Sequence, residues 1–492
     1  MAPVRETQQQ LHFILVPFMA QGHMIPTIDI AKLLAHRGVI ATLVTTHDNA
    51  LRHKAVLDRA MASGGLPIRV LQLRFPSREV GLPDGCESAD AVPSTDLLPN
   101  FFSALEMLRP QLEQRLAEIH PKPSCIVSDI FFPWTSQVAI KFCTPRIVFH
   151  GMSCFSHLCN HVLRISEATE RVESEYEPFF IPNLPHRIEI TKNKLPQSWK
   201  KSSNHLADEH IDGFIESEES AYGVLINSFE ELEPEYAKLY GEARRGRMWC
   251  IGPLSLVNKE ESDIAERGDK ASIDKNKCLE WLDSKEPNSV IYVCLGSLCR
   301  LAVKEMIEFG LALEASEHPF VWAFKGGERY EELGNWLDSE GFEERNKERG
   351  LVIRGWAPQV MILSHRSVGG FLTHCGWNST LEGLCAGVPM LTWPMFAEQF
   401  LNEKMIVEVL RVGYSVGVDV AIEWEEAEES RVKKEEIERG VRRLMDKSDE
   451  CEEMRRRVEE IRDMGERAIK EGGSSHLNLT ILIEDVRKQM SM

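Results

Sequence analysis

The segment 356–399 carries the residues whose types and spacing best suit the binding of a charged ligand. Its apolar run at 368–373 predicts a strand, which leads through small residues and His374 into a helix that opens at Asn378 and Ser379. The start of a helix presents unpaired backbone N–H groups and the positive end of the helix dipole. A strand, a turn and a helix start beside a histidine therefore predict an anion site that suits a diphosphate.

Two features of this segment also have purely structural interpretations. Ser379 and Glu382 are spaced as a capping box, in which the two side chains satisfy N–H groups at the helix start. A single histidine such as His374 is more often a structural residue than a ligand-binding one. Spacing alone leaves both alternatives open.

A base that takes a proton from a hydroxyl near neutral pH is most readily supplied by histidine. His23 lies in the loop that we expect between the predicted strand 11–18 and a helix over 26–37. Asp129 comes directly after another predicted strand. Ligands of open α/β sheets collect at the carboxyl ends of the strands, so these residues are candidates for a base and its partner. The chain has 16 histidines, however, and Asp129 alone is as well explained as a helix N-cap.

The elements around these residues alternate between strand and helix. Such alternation is typical of parallel sheets covered by helices, and it occurs in two series that predict two Rossmann-like halves. Further strands are predicted in the first series at 39–46, 124–128 and 145–149, and in the second at 290–295, 320–324, 351–354 and 389–393.

Charge and apolar content divide the chain into domains. The segment 253–278 has few apolar residues and many charges, which predicts a linker. We therefore expect an N-terminal domain over 1–252, a C-terminal domain over 279–472 and a last helix over 473–492 that packs back on the N-terminal domain. Apolar residues at helical spacing within 424–470 predict two amphipathic helices with charged outer faces.

The composition excludes several classes of function. The 57 basic and 76 acidic residues give a net charge of −19, which argues against nucleic-acid or anionic-membrane binding as the main activity. We see no secretory signal and no run of about 18 apolar residues, so we expect a cytoplasmic protein without a membrane segment. The 12 scattered cysteines contain no C-x-x-C pair and are expected to be free thiols. No G-x-G-x-x-G follows a predicted strand, which argues against a dinucleotide-dependent oxidoreductase.

The complete segment 356–399 resembles the signature box of plant family-1 glycosyltransferases, which use UDP-sugars. The likeness rests on WAPQ at 356–359, HCGWNS at 374–379, EGLCAGVP at 382–389 and the closing Gln399. It is closest to the group that contains cytokinin, flavonoid and triterpenoid-sapogenin O-glucosyltransferases. It continues along the chain in PFMAQGHMIP at 17–26, GLPDGCE at 81–87, SDIFFPW at 128–134, INSFEELE at 226–233 and CLGSLCRL at 294–301.

The resemblance implies the α/β GT-B fold, in which two Rossmann-like domains face each other across a cleft. The C-terminal half would hold the UDP-sugar and the N-terminal half the acceptor. The family's catalytic base corresponds to His23 and the acid that pairs with it to Asp129. The donor-binding positions correspond to Trp356 and Ala357 on the uracil, Gln359 and Glu382 on the ribose, Ser297, His374, Asn378 and Ser379 on the diphosphate, and Trp377, Glu398 and Gln399 on the sugar.

The resemblance further implies a single inverting displacement without a metal or other cofactor, since the UDP-sugar is a co-substrate. The family usually has Asp-Gln where this chain has Glu398-Gln399, and the closing Gln favours glucose. The sequence contains neither a D-x-D motif nor a His/Cys cluster at zinc spacing, so no motif points to a metal site. A non-catalytic relative that only binds small molecules is a rival, but it predicts loss of His23 or Asp129, and both are present.

We expect the acceptor to be a hydrophobic plant metabolite with a hydroxyl group, a triterpenoid sapogenin or a flavonoid. Other UDP-sugars (galactose, xylose, rhamnose) and cytokinin or phenolic acceptors are alternatives. The acceptor pocket is expected to be lined by N-terminal segments at about 81–95, 101–102, 131–132, 150–155 and 179–200, whose aromatic side chains are equally well explained as core residues. We expect the protein to act as a monomer.

Overall fold

Two parallel β-sheets organise the computed structural model, which describes residues 10–62, 65–196, 213–299, 301–326, 330–422 and 432–490. The central strands of each sheet are apolar runs buried on both faces, as a sheet covered by helices on both sides requires, whereas the edge strands at 68–73 and 350–354 are partly exposed. The two sheets confirm the predicted α/β class and the two Rossmann-like halves.

The first sheet has seven strands in the order β3-β2-β1-β4-β5-β8-β9, all parallel. A separate antiparallel pair, β6 and β7, lies between β5 and β8 in the chain. The strands are β1 (His12–Val16), β2 (Ile40–Thr46), β3 (Ile68–Leu73), β4 (Cys125–Asp129), β5 (Arg146–His150), β6 (Phe179–Phe180), β7 (Glu189–Ile190), β8 (Gly223–Ile226) and β9 (Met248–Cys250).

The second sheet has six parallel strands in the order β12-β11-β10-β13-β14-β15. In both sheets the chain order reverses beside the first strand, between β1 and β4 and between β10 and β13. Open α/β folds bind ligands at such switch points. The strands are β10 (Val290–Cys294), β11 (Phe320–Phe324), β12 (Gly350–Arg354), β13 (Val368–Thr373), β14 (Met390–Thr392) and β15 (Gly413–Ser415).

Helices connect the strands and cover both sheets. In the N-terminal half these are α1 (Gln21–His36), α2 (His47–Arg52), α3 (Lys54–Ala62), α4 (Leu98–Glu106), α5 (Leu108–Glu118), α6 (Thr135–Lys141), α7 (Cys154–Ser166) and α8 (Pro234–Ala243). The remaining helices are α9 (Glu261–Ala265), α10 (Lys275–Asp283), α11 (Val303–Ser316), α12 (Glu331–Ser339), α13 (Phe342–Asn346), α14 (Gln359–Leu363), α15 (Trp377–Ala386), α16 (Gln399–Lys404), α17 (Lys434–Leu444), α18 (Asp449–Ile469) and α19 (Ser474–Gln489).

Helix α1 begins earlier than the sequence predicts, so the prediction that His23 lies in a loop is wrong. The Ala20 carbonyl accepts hydrogen bonds from the N–H groups of His23 (3.0 Å) and Met24 (2.9 Å), which starts the helix at Gln21. Pro26 lies inside the helix and has no N–H to donate to the Gly22 carbonyl four residues earlier. His23 therefore stands in the first turn of α1.

The segment 253–278 is fastened to the N-terminal half by its charges. Lys32 Nζ of α1 donates to Asn258 Oδ1 and to Asp263 Oδ2, each at 2.7 Å. Arg59 Nε of α3 donates to Asp263 Oδ1 at 2.8 Å. The charged composition that predicts a linker thus forms ion pairs across a partly buried contact.

The C-terminal helices pack with their apolar sides inward. In α17 and just before it, the side chains of Val432, Ile437 and Val441 are buried, whereas 424–431 lie outside the described residues. Leu482 and Val486 of α19 join the apolar cluster that covers the first sheet. All twelve cysteines are free. Across the described ranges, no helix combines the length and apolar character that a membrane span requires.

Candidate active site

A cleft of about 1740 Å³ lies between the carboxyl edges of the two sheets, and every predicted site residue lines it. His23 follows β1 and Asp129 ends β4, which are neighbours at the switch point of the first sheet. Ser297 follows β10 and His374 follows β13, which are neighbours at the switch point of the second. The topology therefore places the two candidate groups on opposite walls of one cleft.

His23 and Asp129 form a hydrogen-bonded pair on the N-terminal wall. His23 Nδ1 lies 2.6 Å from Asp129 Oδ2, and the Asp129 side chain is only 1% exposed. Asp129 Oδ1 accepts a hydrogen bond from the Phe131 backbone N–H at 3.1 Å, which fixes the carboxylate. The helix N-cap alternative for Asp129 is wrong, because α6 begins only at Thr135. With Nδ1 donating to Asp129, the other ring nitrogen, Nε2, is the one that can accept a proton.

The surroundings of His23 raise its pKa above the ordinary value of 6.5. Burial alone would lower the pKa, but the charge and hydrogen bond of Asp129 outweigh it, and the charge of Glu398 adds to their effect. The imidazole is thus a stronger base than an isolated histidine. It holds its proton over a wider pH range, and deprotonation is needed before it can act as a base.

Aromatic side chains surround this pair. The Phe18 and Phe131 rings lie with their centroids 5.2 and 5.7 Å from that of His23, and Phe101 and Phe102 also line the cleft. Phe132 does not: its ring is fully buried and packs against Trp134. Of the two neighbouring phenylalanines, Phe131 therefore lines the cleft and Phe132 belongs to the core, because adjacent residues point in different directions as the chain leaves β4.

The opposite wall carries the predicted anion site at the start of α15. Gly376 is the N-cap residue, so Asn378 and Ser379 lie in the first turn. The interpretation of Ser379 and Glu382 as a capping box is wrong, because Ser379 lies inside the helix and the Glu382 carboxylate accepts a hydrogen bond from Gln359. Trp377, Asn378 and Ser379 line the cleft, and the first turn of a helix has N–H groups without an intrahelical partner, which is the arrangement that the sequence predicts for a diphosphate.

His374 stands between the two strand ends in space that glycines provide. A Cβ at Gly296, whose φ is +80°, would lie 2.6 Å from His374 Nε2, and one at Gly376 would lie still closer. Burial lowers the pKa of His374 to about 4, so the ring is neutral at pH 7. Its Nδ1 is buried and has no hydrogen-bond partner among the described residues. A buried unpaired nitrogen beside a helix start suits a ligand anion better than a structural role.

The predicted ribose residues form one hydrogen-bonded group. Gln359 Nε2 donates to Glu382 Oε2 at 2.7 Å and to Ser379 Oγ at 3.0 Å. Next to them, the Trp356 indole N–H donates to the Arg267 carbonyl at 3.3 Å, and the ring packs against Gly268. Ala357 is buried beside Trp356.

The predicted sugar residues lie at the start of α16. Gln399 Oε1 accepts from the N–H groups of Met395 (2.8 Å) and Phe396 (3.2 Å), so its Nε2 is the side-chain group that remains to bind a hydroxyl. Burial raises the pKa of Glu398, which precedes it. The Trp377 indole N–H donates to the Asn227 carbonyl at 2.7 Å. Any contact of Trp377 with a sugar hydroxyl therefore falls to its main chain.

Two polar residues of this region are not among the predicted ones. Arg267 of the segment 253–278 is 9% exposed and pairs with Asp29 of α1 (2.9 Å) and with Glu382. Burial would lower the pKa of Arg267, but these two carboxylates raise it. Asn227 hydrogen-bonds to Asn378. The linker has too many charges to single out one arginine, whereas the INSFEELE motif at 226–233 is a signal that could have pointed to Asn227.

Comparison with known proteins relates the whole chain to sugar transfer. Residues 264–426 match the family described as UDP-glucoronosyl and UDP-glucosyl transferase. UDP-glycosyltransferase 73C3 of Arabidopsis thaliana is 52% identical over 97% of this chain and 96% of its own, and UDP-glycosyltransferase 73C12 of Barbarea vulgaris has the same values. The crystal structure of Glycyrrhiza uralensis UGT73P12 complexed with glycyrrhetinic acid 3-O-monoglucuronide superposes with a TM-score of 0.90. It is 37% identical and covers 98% of this chain and 96% of its own.

Replacing Asp129 with Asn tests the pairing with His23. The substitution keeps an oxygen for the Phe131 N–H but removes the negative charge, so the pKa of His23 should fall. The midpoint is measured by NMR titration of ¹⁵N-labelled histidine, with the His23 signal identified by its loss in His23→Ala. The control is Asp90→Asn, whose carboxylate pairs with Arg52 instead. An unchanged midpoint in Asp129→Asn would show that the pair does not set this pKa.

Proposed function

The chain belongs to the family-1 plant UDP-glycosyltransferases, which have the GT-B fold, and from this premise we propose that it transfers glucose from UDP-glucose to a hydroxyl group of a hydrophobic plant metabolite, with inversion at the anomeric carbon. The observation that carries the proposal is the His23–Asp129 pair, at 2.6 Å, on the wall opposite the helix start at Asn378. A base and an anion site on facing walls suit displacement of a diphosphate by a hydroxyl.

The reaction is a single displacement. His23 Nε2 removes the proton from the acceptor hydroxyl as its oxygen attacks the anomeric carbon. The bond from that carbon to the diphosphate oxygen breaks on the opposite face, and UDP leaves with the electron pair. Asp129 holds the imidazole in its reactive tautomer and stabilises the imidazolium. With a UDP-α-sugar the product is β-linked, and His23 releases its proton to solvent.

The departing diphosphate gains negative charge, which the start of α15 offsets. Backbone N–H groups of the first turn, the side chains of Asn378 and Ser379, and the neutral His374 ring form a preorganised set of hydrogen-bond donors. Preorganised donors of this kind contribute about 3–4 kcal/mol each to transition-state stabilisation in enzymes where one was removed. We therefore include in the proposal that transfer needs no metal ion.

Glucose is the proposed sugar because of the residues at the start of α16. The Glu398 carboxylate can accept two hydroxyl hydrogen bonds, and Gln399 offers its Nε2 group. The Asp-to-Glu difference from the family pattern adds a methylene group and keeps the acceptor oxygens. Galactose, xylose and rhamnose are the alternatives; Arabidopsis thaliana UGT89C1, 31% identical, has been crystallised with UDP-L-rhamnose.

A triterpenoid sapogenin or a flavonoid is the proposed acceptor. The phenylalanines around His23 offer an apolar surface for a ring system, with cytokinins and phenols as smaller alternatives. The cleft of about 1740 Å³ exceeds the roughly 300–1,000 Å³ of a single small-molecule site, so it has room for two ligands. The solved neighbours hold glycyrrhetinic acid 3-O-monoglucuronide and, for UGT89C1, quercetin. Action as a cytoplasmic monomer stays a prediction from the sequence.

A matrix of donors and acceptors tests this proposal. UDP-glucose, UDP-galactose, UDP-xylose and UDP-rhamnose are each combined with an oleanane sapogenin, a flavonol and a cytokinin, and products are read by mass. We expect a hexose increment with UDP-glucose on the sapogenin or the flavonol.

His23→Ala should reduce turnover by at least about 100-fold, whereas His36→Ala, at the exposed end of the same helix, should not. Full turnover in a folded His23→Ala variant would remove His23 as the base.

Gln399→His tests the choice of sugar. The imidazole cannot accept from both the Met395 and Phe396 N–H groups while donating to the sugar as the amide does. We expect the ratio of kcat/KM for UDP-glucose to that for UDP-galactose to fall by about tenfold or more, equivalent to about 1.4 kcal/mol. A ratio equal to that of the unsubstituted enzyme would place the choice of sugar elsewhere in the cleft.

Chelation tests the proposal that no metal takes part. Because protein donors at α15 meet the diphosphate, dialysis against EDTA should leave the initial rate within about twofold of the untreated enzyme. Added Mg²⁺ or Mn²⁺ should not raise the rate of the dialysed protein. A rate that falls at least about tenfold with EDTA and recovers with either cation would contradict this part of the proposal.

A further inference from the structure

Asn227 lies at the junction of the two halves, directly after β8, and is 2% exposed. Its Oδ1 accepts a hydrogen bond from the Leu254 backbone N–H at 3.0 Å, and its Nδ2 donates to Asn378 Oδ1 at 3.1 Å. The Leu254 N–H can only donate, so it determines which way the Asn227 amide is turned. Asn227 therefore presents a donor, and not an acceptor, to the anion site.

The orientation passes from Asn227 to Asn378. Since Asn378 Oδ1 receives the Asn227 hydrogen bond, Asn378 Nδ2 must lie on the other side, where it donates to the Gly22 carbonyl at 2.5 Å. That carbonyl is available because Pro26, four residues later in α1, has no N–H to donate to it. Three directional hydrogen bonds thus connect Leu254 to the turn of helix that carries His23.

Asn378 has one further hydrogen to give. An amide NH₂ group carries two hydrogens, and the Gly22 carbonyl takes only one of them. The second hydrogen of the Asn378 NH₂ group remains to be donated, and Asn378 lies in the first turn of α15, on the wall where the diphosphate is proposed to bind. If the Asn378 amide were turned over, its oxygen would meet both the Gly22 carbonyl and the diphosphate, and both contacts would be repulsive.

The main chain of Asn227 is held as firmly as its side chain. The Trp377 indole N–H donates to its carbonyl at 2.7 Å. A Cβ at Gly252 would lie 2.5 Å from Asn227 Oδ1. The Asn227 side chain therefore fits only because residue 252 is a glycine. The site is built to keep one side-chain orientation at position 227.

We propose that Asn227 is a positioning residue of the donor site. Contributed by the N-terminal half, it sets the orientation of the Asn378 amide, so that one N–H binds the leaving diphosphate while the other holds the Gly22 carbonyl beside His23. The inference rests on the proposed function, because it assigns Asn227 a part in binding the UDP-sugar. One hydrogen-bonded chain then aligns both the donor and the base.

Asn227→Asp is the variant that tests this, because it changes the hydrogen bonding and hardly the shape. An aspartate still accepts from the Leu254 N–H, but it presents an oxygen to Asn378 Oδ1 and forces that amide to turn over or move away. We expect the Kd for UDP, measured by calorimetry, to rise at least tenfold. The KM for the UDP-sugar should rise in parallel, while the KM for the acceptor stays within about twofold.

Asn193→Asp is the matched control. Asn193 is also a buried asparagine of the N-terminal half that donates across to the other half, to the Asp419 carbonyl at 2.9 Å, but it does not line the cleft. It should keep the UDP affinity of the unsubstituted protein. Asn227→Ala, which removes the side chain without adding charge, provides a second variant should Asn227→Asp fail to fold, and its Kd for UDP should rise at least about threefold.

The outcomes separate this inference from the proposed function. If the unsubstituted protein does not bind UDP, the proposed function is wrong and this inference with it. If the unsubstituted protein binds UDP and folded Asn227→Asp and Asn227→Ala bind it within twofold as well, only the positioning role is overturned. An equal loss of UDP affinity in Asn193→Asp would also overturn it, because the effect would then belong to the junction as a whole.

Discussion

The hydrogen bond from Asn378 Nδ2 to the Gly22 carbonyl joins the two halves at the place where the reaction is proposed. It connects the first turn of α15 to the first turn of α1, and these turns carry the anion site and His23. Each turn follows a strand at the switch point of its sheet, so the parallel topology brings both to the cleft. The carbonyl is free for this contact because Pro26 cannot bond to it within the helix. Because Pro26 has no N–H group, the Gly22 carbonyl can accept the hydrogen bond from Asn378 that aligns the base with the leaving group.

Two histidines face the same cleft with opposite electrostatic surroundings. His23 lies beside Asp129 and within the field of Glu398, and its pKa is raised. His374 is packed between glycines, none of the described carboxylates pairs with it, and burial lowers its pKa to about 4. Groups whose environments separate their pKa values in this way commonly have separate roles in proton transfer. The contrast supports His23 as the group that takes a proton and His374 as a neutral donor to the diphosphate.

The apolar runs predict the two sheets. The resemblance of the motifs predicts that the site residues lie in one cleft between them. The features that sequence alone could not predict depend either on how the chain turns locally or on contacts between distant segments. The helix start at Gln21 depends on the Ala20 carbonyl, and the direction of Phe132 depends on how the chain turns after β4. The pairing of Arg267 with Asp29 and Glu382 joins three separate segments, and nothing local marks that arginine among its charged neighbours.

The anomeric configuration of the first product tests the central claim most directly, because base and leaving group on facing walls permit attack only from the face opposite UDP. Proton NMR of the product formed from UDP-α-glucose in the first turnovers measures the coupling of its anomeric proton. The large coupling of a β-glucoside is the predicted result. A product that is α-linked from the outset would contradict the arrangement of His23 and α15 as the two sides of one displacement.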